Sequence, residues 1–341
     1  MNSRRQHGLA LITAVFIVAI VTTIAAYLAL GQQVWLRQAQ SFFDRGQAGK
    51  VADGALQWAM LMLEDDAKNN NTNKYDEPGE DWAQPLPAMP VEGGAVGGRI
   101  RDAQGYFNLN NLIPGGNNTQ HDVLLFARLL TNLRLDPALA NAVIDWIDPG
   151  GDAGAGGAED TYYLTLQPPY RAANQPLTSV DELRLVRGFT PEVLKVLRPH
   201  VTVLPDTAPV NINFCSAEVL AALFENFTVD QAKALIEQRD GSGAGSSGSP
   251  FKDKNDLKTL AGVDPAPDAP YDVRSDYFVV DLTTRFGRLT ERRETLVRRQ
   301  QGKTSVIWKT RSLMIPAAGD DEGEDEIERE SAARAPRGPT G

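Results

Sequence analysis

The pattern of apolar and polar positions first marks a long N-terminal helix. Uncharged, mostly apolar residues run from Leu9 to Leu30, which is long enough to cross a bilayer, since a crossing takes roughly 20 residues at about 1.5 Å each. Apolar and polar residues are then mixed, and no proline occurs before Pro78. The pattern therefore predicts one unbroken helix from Leu9 to about Ala67, in which a membrane stem continues as an amphipathic spine.

Strand-like segments predict a small antiparallel sheet that is interrupted by the middle of the chain. Residues Val96–Asn108 alternate imperfectly and contain glycines, which indicates a bent or edge strand. Three later segments rich in strand-forming residues are Tyr277–Phe286, Leu289–Arg299 and Ser305–Leu313. Hairpin turns between them are predicted at Gly287-Arg288 and Gln301-Gly302.

Two further features complete the predicted sheet. The segment Pro78–Pro90 is polar and rich in proline, and we interpret it as a linker between the helix and the sheet. Four arginines of the later strands are predicted on the wet face of the sheet: Arg292, Arg293, Arg298 and Arg299.

The middle of the chain contains an internal repeat. Phe107-Asn108-Leu109-Asn110 resembles Val210-Asn211-Ile212-Asn213, and Pro176-Leu177 resembles Pro250-Phe251. Each copy predicts an asparagine-rich start, two or three short helices and a proline turn into another capped helix. Such a duplication predicts two small helical domains side by side. Both units are expected to resemble SAM-like or helix-hairpin-helix-like modules, and in the second Ser216 is the expected N-cap.

The two copies differ most in one glycine-rich connection. It runs from Pro149 to Gln175 in the first copy, 27 residues, but from Gly241 to Ser249 in the second, nine residues. Calcium prefers six to eight oxygen ligands, often from carboxylates on a bent loop. The oxygen-bearing candidates in and beside the longer loop are Asp145, Asp148, Asp152, Glu159, Asp160 and Asn174. Their spacing is not that of an EF-hand, and spacing alone favours an ordinary loop with solvated acids.

Composition and motifs argue against nucleic-acid binding and catalysis. The net charge is −10, and eight of the eleven residues from Asp320 to Glu330 are acidic, which is typical of a disordered, solvated tail. The hairpin of the second unit, Glu225-Asn226-Phe227-Thr228, contains no glycine and adds a negative charge, so phosphate could not approach its backbone closely. Neither a phosphate loop, a G-x-S-x-G elbow nor an H-E-x-x-H motif occurs in the sequence. We therefore expect a structural role and no enzymatic activity.

The N-terminal segment leaves three alternatives. An ordinary secretory signal has a shorter apolar region of about 7–15 residues, and a simple single-span anchor leaves the glycine before the run unexplained. The basic leader with Arg4 and Arg5, then Gly8, then the apolar helix resembles the signal of type IV pilins and type II secretion pseudopilins. This resemblance implies cleavage between Gly8 and Leu9 by a prepilin peptidase, followed by methylation of the new N-terminus.

One departure from the pilin pattern indicates which kind of pilin-like subunit the chain resembles. Most members of the superfamily carry glutamate at the fifth mature position, where this chain has Thr13. A missing glutamate and an unusually large subunit are typical of the K-type minor pseudopilins, the GspK family. Membership implies an inner-membrane anchor with a periplasmic domain, bound Ca²⁺ in the helical region, and the companion subunits GspI, GspJ and GspH. It also implies a place at the pseudopilus tip, where the chain would meet the secretin or exported proteins.

The combined expectation is an α+β fold, in which a pilin-like long N-terminal helix packs on a small antiparallel sheet with a large inserted α-helical domain. The alternatives are a minor pilin of a type IV pilus or competence system, and a single-span membrane-anchored periplasmic protein, including a calcium-dependent enzyme. The predicted divisions are a leader at 1–8, a transmembrane helix at 9–30, a periplasmic spine at 31–75, a linker and first strand at 76–108, helical repeats at 109–205 and 206–272, C-terminal strands at 273–315 and an acidic tail at 316–341.

Overall fold

The N-terminal spine is a single helix, α1, which runs over Ser3–Lys68. The computed structural model describes residues 3–68, 74–113, 120–241 and 248–314, with side chains from residue 11 to residue 312. With 66 residues, α1 is on the order of 100 Å long. It is long and apolar enough to cross a membrane, and its most apolar window has a mean hydropathy of 2.5 with none of it buried in the protein. The predicted unbroken helix is confirmed.

The ends of α1 differ from the predicted boundaries. The helix begins before the predicted cleavage position, so the backbone is helical on both sides of the Gly8–Leu9 bond. The predicted end of the spine at residue 75 is wrong, because α1 ends at Lys68 and Tyr75 is not helical.

The segment interpreted as a linker contains structure. A short 3₁₀ helix occupies Asp81–Ala83, and strand β1 spans Leu86–Val91. Strand β2 spans Gly94–Asp102 and pairs antiparallel with β1. The linker prediction for Pro78–Pro90 and the strand prediction for Val96–Asn108 are therefore both wrong in extent. Pro87 and Pro90 made β1 look like a loop in the sequence. An edge strand tolerates proline because one side of its backbone needs no hydrogen-bond partner.

The first helical unit lies between a pair of short parallel strands. Its elements are β3 (Phe107–Asn108), α2 (Gln120–Asn132), α3 (Leu139–Ile147), α4 (Asp160–Tyr163), α5 (Pro191–Leu197) and β4 (Val201–Thr202). Strands β3 and β4 pair in parallel, which brings the start and end of the unit together.

The second helical unit repeats this plan. Its elements are β5 (Val210–Asn211), α6 (Ala217–Ala222), α7 (Val229–Asp240), α8 (Lys254–Ala261) and β6 (Tyr271–Asp272). Strands β5 and β6 again pair in parallel. As expected, the Ser216 side chain caps α6 by accepting a hydrogen bond from the backbone N–H of Val219. The two units share one large hydrophobic core.

Equivalent asparagines make equivalent hydrogen bonds in the two units. Asn110 donates to the carbonyl of Leu177 at 3.0 Å and accepts from its N–H at 2.9 Å. Asn213 exchanges the same two bonds with Phe251, both at 2.9 Å. Each asparagine thus ties the start of its unit to the residue after the repeated proline, as the sequence repeat predicts.

The chain then completes the sheet. Strands β7 (Tyr277–Phe286), β8 (Leu289–Gln300) and β9 (Lys303–Met314) follow the helical units. The sheet has the order β1-β2-β7-β8-β9 and is antiparallel throughout. The three C-terminal strands and both hairpin turns are confirmed. So is the fold class, a pilin-like helix on an antiparallel sheet interrupted by an α-helical insert.

One face of the sheet packs on the C-terminal half of α1. Leu56, Ala59 and Leu63 of α1 form a core with sheet residues that include Ile100 and Phe278. The predicted wet arginine face is wrong for two of its four members. Arg293 and Arg299 point toward α1 and contact Asp53 and Asp66, because side chains along a strand alternate between faces.

Candidate functional site

The candidate site is built around the last turn of α3, at the start of the glycine-rich loop. Asp145 lies there with a buried side chain, and the backbone N–H of Gly154 donates to its two oxygens at 3.0 and 3.2 Å. Burial raises the pKa of Asp145 above its ordinary value. A Cβ atom at Gly157 would lie 1.8 Å from Asp145 Oδ2, so only glycine lets the loop close this tightly over the carboxylate.

Glu159 is the second buried acid of the site. Its Oε1 atom is buried and has no hydrogen-bond partner among the described residues. Burial, reinforced by the negative charges of Asp145, Asp148 and Asp160, raises the pKa of Glu159 to about 7. A buried carboxylate oxygen without a donor, beside other acids, is costly unless a cation or proton compensates it.

The other predicted ligands differ in burial and in hydrogen-bond partners. Asp148 is half-buried and accepts from the N–H of Gly150, while Asp160 accepts from the N–H of Ala172 at 3.0 Å and faces Arg171 at 3.3 Å. Asp152 and Asn174 have exposed side chains. The negative charges of Asp145, Asp148 and Asp160 act on Glu159, but no three of the predicted acids bring ligand oxygens within 4.8 Å of one another among the described residues.

Aromatic residues hold the loop in place, although none of them is a predicted ligand. Trp146 packs edge-on against Tyr163 with ring centres 5.1 Å apart, and Tyr163 stacks on Tyr170 at 5.3 Å. Arg187 lies over the ring of Tyr162 and donates to the carbonyl of Gly157 at 2.9 Å. The sequence signal was the group of tyrosines inside a loop otherwise rich in glycine and acids.

The chemistry of this site fits calcium. Its available donors are carboxylate oxygens and the carbonyls of a glycine-rich loop, the hard oxygen ligands that Ca²⁺ prefers. The unpartnered Glu159 oxygen is the specific position where a cation would replace a missing donor.

A second acidic cluster lies where α1 ends, and sequence reasoning missed it. Asp66, Asp76 and Glu80 each place one oxygen within 4.8 Å of the others. Arg299 donates to both Asp66 and Asp76, so much of the negative charge is already balanced by the protein. The sequence does not indicate this cluster, because Asp66 lies on α1 whereas Asp76 and Glu80 follow it, and only the fold brings the three acids together with Arg299 of β8.

His200 and Cys215 do not form a hydrolytic site with their described neighbours. His200 Nδ1 lies 2.8 Å from Ser216 Oγ and 3.7 Å from Glu218, so both partners share one nitrogen, whereas a triad needs the serine and the acid on opposite nitrogens. Burial raises the pKa of Cys215 to about 12, which leaves its thiol unreactive.

Sequence comparisons match the two helical units separately. Residues 105–206 and residues 210–281 each match a family described as type II secretion system (T2SS), protein K. The chain is also 33% identical to the type II secretion system protein K of Pseudomonas aeruginosa, over 94% of this chain and 98% of that protein. This chain belongs to the type II secretion system protein K family.

Other relatives agree with the protein K assignment. The protein K of Pectobacterium carotovorum is 33% identical over 89% of this chain and 96% of that protein. Among solved structures, a chain of the GspK-GspI-GspJ complex from enterotoxigenic Escherichia coli matches with a TM-score of 0.69 and 26% identity, covering 81% of this chain and 99% of that one. The resemblance to K-type minor pseudopilins is confirmed, and it decides against the type IV pilus, competence and simple-anchor alternatives.

Proposed function

We propose that this chain forms the tip of the periplasmic pseudopilus, where it nucleates and caps assembly for export of folded proteins across the outer membrane. The observation that carries this proposal is the size and position of the helical insert. It occupies about half of the chain, between β2 and β7, and it joins the sheet that packs on the C-terminal half of α1. A further subunit stacked above would need the space that this insert fills.

The N-terminal half of α1 supplies the membrane anchor in this proposal. Its described side chains are exposed from residue 11 to residue 38, so they are available to lipid and later to the helices of neighbouring subunits. A prepilin peptidase would cleave between Gly8 and Leu9, and the new N-terminus would be methylated. Thr13 lacks the carboxylate that a repeating subunit would use to pair with the next N-terminus, which favours a single terminal position.

The partners proposed for this chain are companion minor pseudopilins. The similar solved chain belongs to a complex with GspI and GspJ, so we propose the I-type and J-type subunits as direct partners and the H-type subunit as the next below. The secretin and exported proteins would meet the helical insert. The role is structural, without catalysis.

Calcium binding by the loop of the first helical unit belongs to the same proposal. When bound, the ion would supply positive charge among Asp145, Asp148, Glu159 and Asp160. These side chains and the glycine turns around Asp145 would then hold the loop in one conformation. A fixed loop matters at a tip because its surface is the part that would meet other proteins.

Assembly with purified companions tests the proposed role. Native mass spectrometry of the full-length chain in detergent, mixed with I-type and J-type pseudopilins from the same organism, should give one copy of each subunit. Formation of long homopolymers by this chain, or its failure to bind either companion, would contradict the tip assignment.

A further inference from the structure

The face of the sheet that points away from α1 carries a cluster of arginines. Val280 and Leu282 of β7 pack toward α1, so Asp281 between them points to the opposite face, which we call the outer face. Three arginines surround the Asp281 carboxylate, at 3.7, 3.2 and 3.3 Å: Arg99, Arg101 and Arg292. Their side chains remain 55%, 31% and 44% exposed, so all three can also reach a ligand from outside.

Positive charge is in excess around Asp281. Glu294 of β8 is the second acid of the cluster and pairs with Arg101 and Arg292. Arg285 lies four residues after Asp281 on β7, which places it on the same face, and it has no ion-pair partner among the described residues. Four arginines therefore stand against two carboxylates, a net charge of +2. The outer face favours an anionic partner.

A cleft of about 410 Å³ opens in the outer face next to the end of β9. Arg99, Asp281 and Arg292 contribute to its wall, and so does Thr290 of β8. Thr290 is also the backbone pairing partner of Met314, the last residue of β9. The chain therefore leaves the sheet beside the cleft.

The segment that follows β9 has the charge and the reach to occupy this face. Residues 320–330 contain eight acids and one arginine, and this acidic run begins six residues after Met314. Six extended residues span up to about 20 Å, whereas β9 and β2 are three strand spacings apart, roughly 14 Å. The acidic run can thus reach the arginines of β8, β7 and β2. Its covalent attachment gives it an effective concentration on the order of millimolar.

We propose that the acidic run of residues 320–330 docks on the arginines of the outer face of the same chain. Its net charge of −7 opposes the +2 of the cluster, and carboxylates match the planar donor geometry of arginine. The run contains a single large apolar residue, Ile327, so charge pairing and not apolar burial holds it. Exposed ion pairs are individually weak and are screened by salt, so docking is reversible and strongest at low ionic strength.

This inference goes beyond the proposed function and does not depend on it, because it concerns a face of the sheet that α1 does not contact. A docked run covers the arginines and keeps other acidic proteins away from them. A more acidic partner, or salt, would displace the run and uncover the face.

The mobility of a spin label on the acidic run tests the proposal in the full-length protein in detergent. Gly323→Cys provides the attachment point, and Cys215 stays unlabelled because it is buried with its thiol pKa raised to about 12. Electron paramagnetic resonance should show a slow component at low salt. That component should fall about threefold or more between about 0.01 M and about 1 M salt, as the Debye length falls from roughly 30 Å to roughly 3 Å. An excess of a synthetic peptide with the sequence of residues 320–330 should displace it in the same way.

A charge-neutralising variant and a matched control locate the contact. Arg99→Gln/Arg285→Gln removes two positive charges from the outer face and leaves Asp281 two other arginines, so this variant should fold and should lose most of the slow component. Arg184→Gln/Lys233→Gln removes the same number of charges from helical-unit positions that are 69% and 57% exposed, and it should keep the slow component. Melting temperatures equal to that of the wild type show that both variants are folded.

Three results would overturn the proposal. The first is a label that is equally mobile at low salt in the wild type, the arginine variant and the control. The second is a slow component that neither salt nor the peptide displaces, a result that stands even if the arginine variant does not fold. The third is a mobile label in a protein that still binds the fluorescent peptide through these arginines, which would assign the outer face to an external acidic partner.

Discussion

Arg299 of β8 donates to Asp66 in the last turn of α1 at 2.6 Å, and so joins the sheet to the end of the spine helix. Its other amino group reaches Asp76, which lies in the segment that leads from α1 to the sheet. Burial alone would lower the pKa of Arg299, but Asp76 and Asp66 raise it above the ordinary value. The guanidinium is thus a buried, fixed charge at the junction of helix and sheet.

Loss of this arginine should be strongly destabilising. Arg299→Met leaves Asp66 and Asp76 without their cation, and breaking a buried pair in this way typically costs about 3–5 kcal/mol. The matched control is Arg292→Met on the other face of the same strand, where the side chain is 44% exposed and a loss of about 0–1 kcal/mol is expected. Chemical unfolding of both variants measures the difference. Equal losses in the free energy of unfolding would show that Arg299 does not stabilise the junction of helix and sheet.

The repeated asparagines should have equivalent energetic roles. Asn110→Ala and Asn213→Ala each leave the N–H and carbonyl of a buried partner residue without a hydrogen bond, which costs about 1–3 kcal/mol for each group left unpaired. Asn226→Ala, in an exposed hairpin position, should change the free energy of unfolding by less than about 0.5 kcal/mol. A small effect at only one of Asn110 and Asn213 would contradict their equivalence.

Asp102 should make stability depend on pH. It is buried at the end of β2, and burial raises its pKa to about 7. Because the folded state holds this proton more tightly than the unfolded state, the stabilising contribution is complete below about pH 4 and is lost as the pH rises through about 7. Asp102→Asn keeps an oxygen for the N–H of Gln104 and cannot ionise. Between pH 5 and pH 8 the melting temperature should fall less steeply for the variant than for the wild type. Parallel curves of melting temperature against pH would contradict this role of Asp102.

The calcium proposal predicts opposite effects of one substitution with and without the ion. Glu159→Gln removes a charge that is buried beside three other acids, so the calcium-free protein should be as stable as the wild type or more stable. The same variant should lose the stabilisation by calcium, which for a single site amounts to about 2.7 kcal/mol at a hundred times the Kd. Thermal unfolding with and without millimolar calcium measures both effects.

Asp230→Asn is the control for the calcium measurement, because that side chain is 90% exposed on α7. This variant should be stabilised by millimolar calcium as much as the wild type. If wild-type protein shows no response to millimolar calcium, or if Glu159→Gln retains it, the site is wrong.

The sequence predicted those features whose signal is local or repeated. The strand Tyr277–Phe286 was predicted to the residue because its strand formers end at a glycine turn. The equivalence of Asn110 and Asn213 was visible as a repeat before any contact was known. Strand β1 was missed because its prolines are typical of loops, and the edge position that makes them tolerable is a property of the assembled sheet.

The site could be predicted only in part for the same reason. The glycine-rich loop and its acids were recognisable from composition, but which acids become buried depends on how the loop folds over Asp145. Residue type favours Asp152 and Asn174 as ligands, but their side chains are exposed. The cluster of Asp66, Asp76, Glu80 and Arg299 required the fold, because the paired charges come from α1, the following segment and β8.

The mass of the mature N-terminus, measured on protein purified from its native membrane, tests the pseudopilin account most directly. The account predicts a chain that begins at Leu9 and carries one N-terminal methyl group, as left by a prepilin peptidase and its methylation step. An intact Met1, or a chain that begins near Gly31 after ordinary signal cleavage, would contradict it.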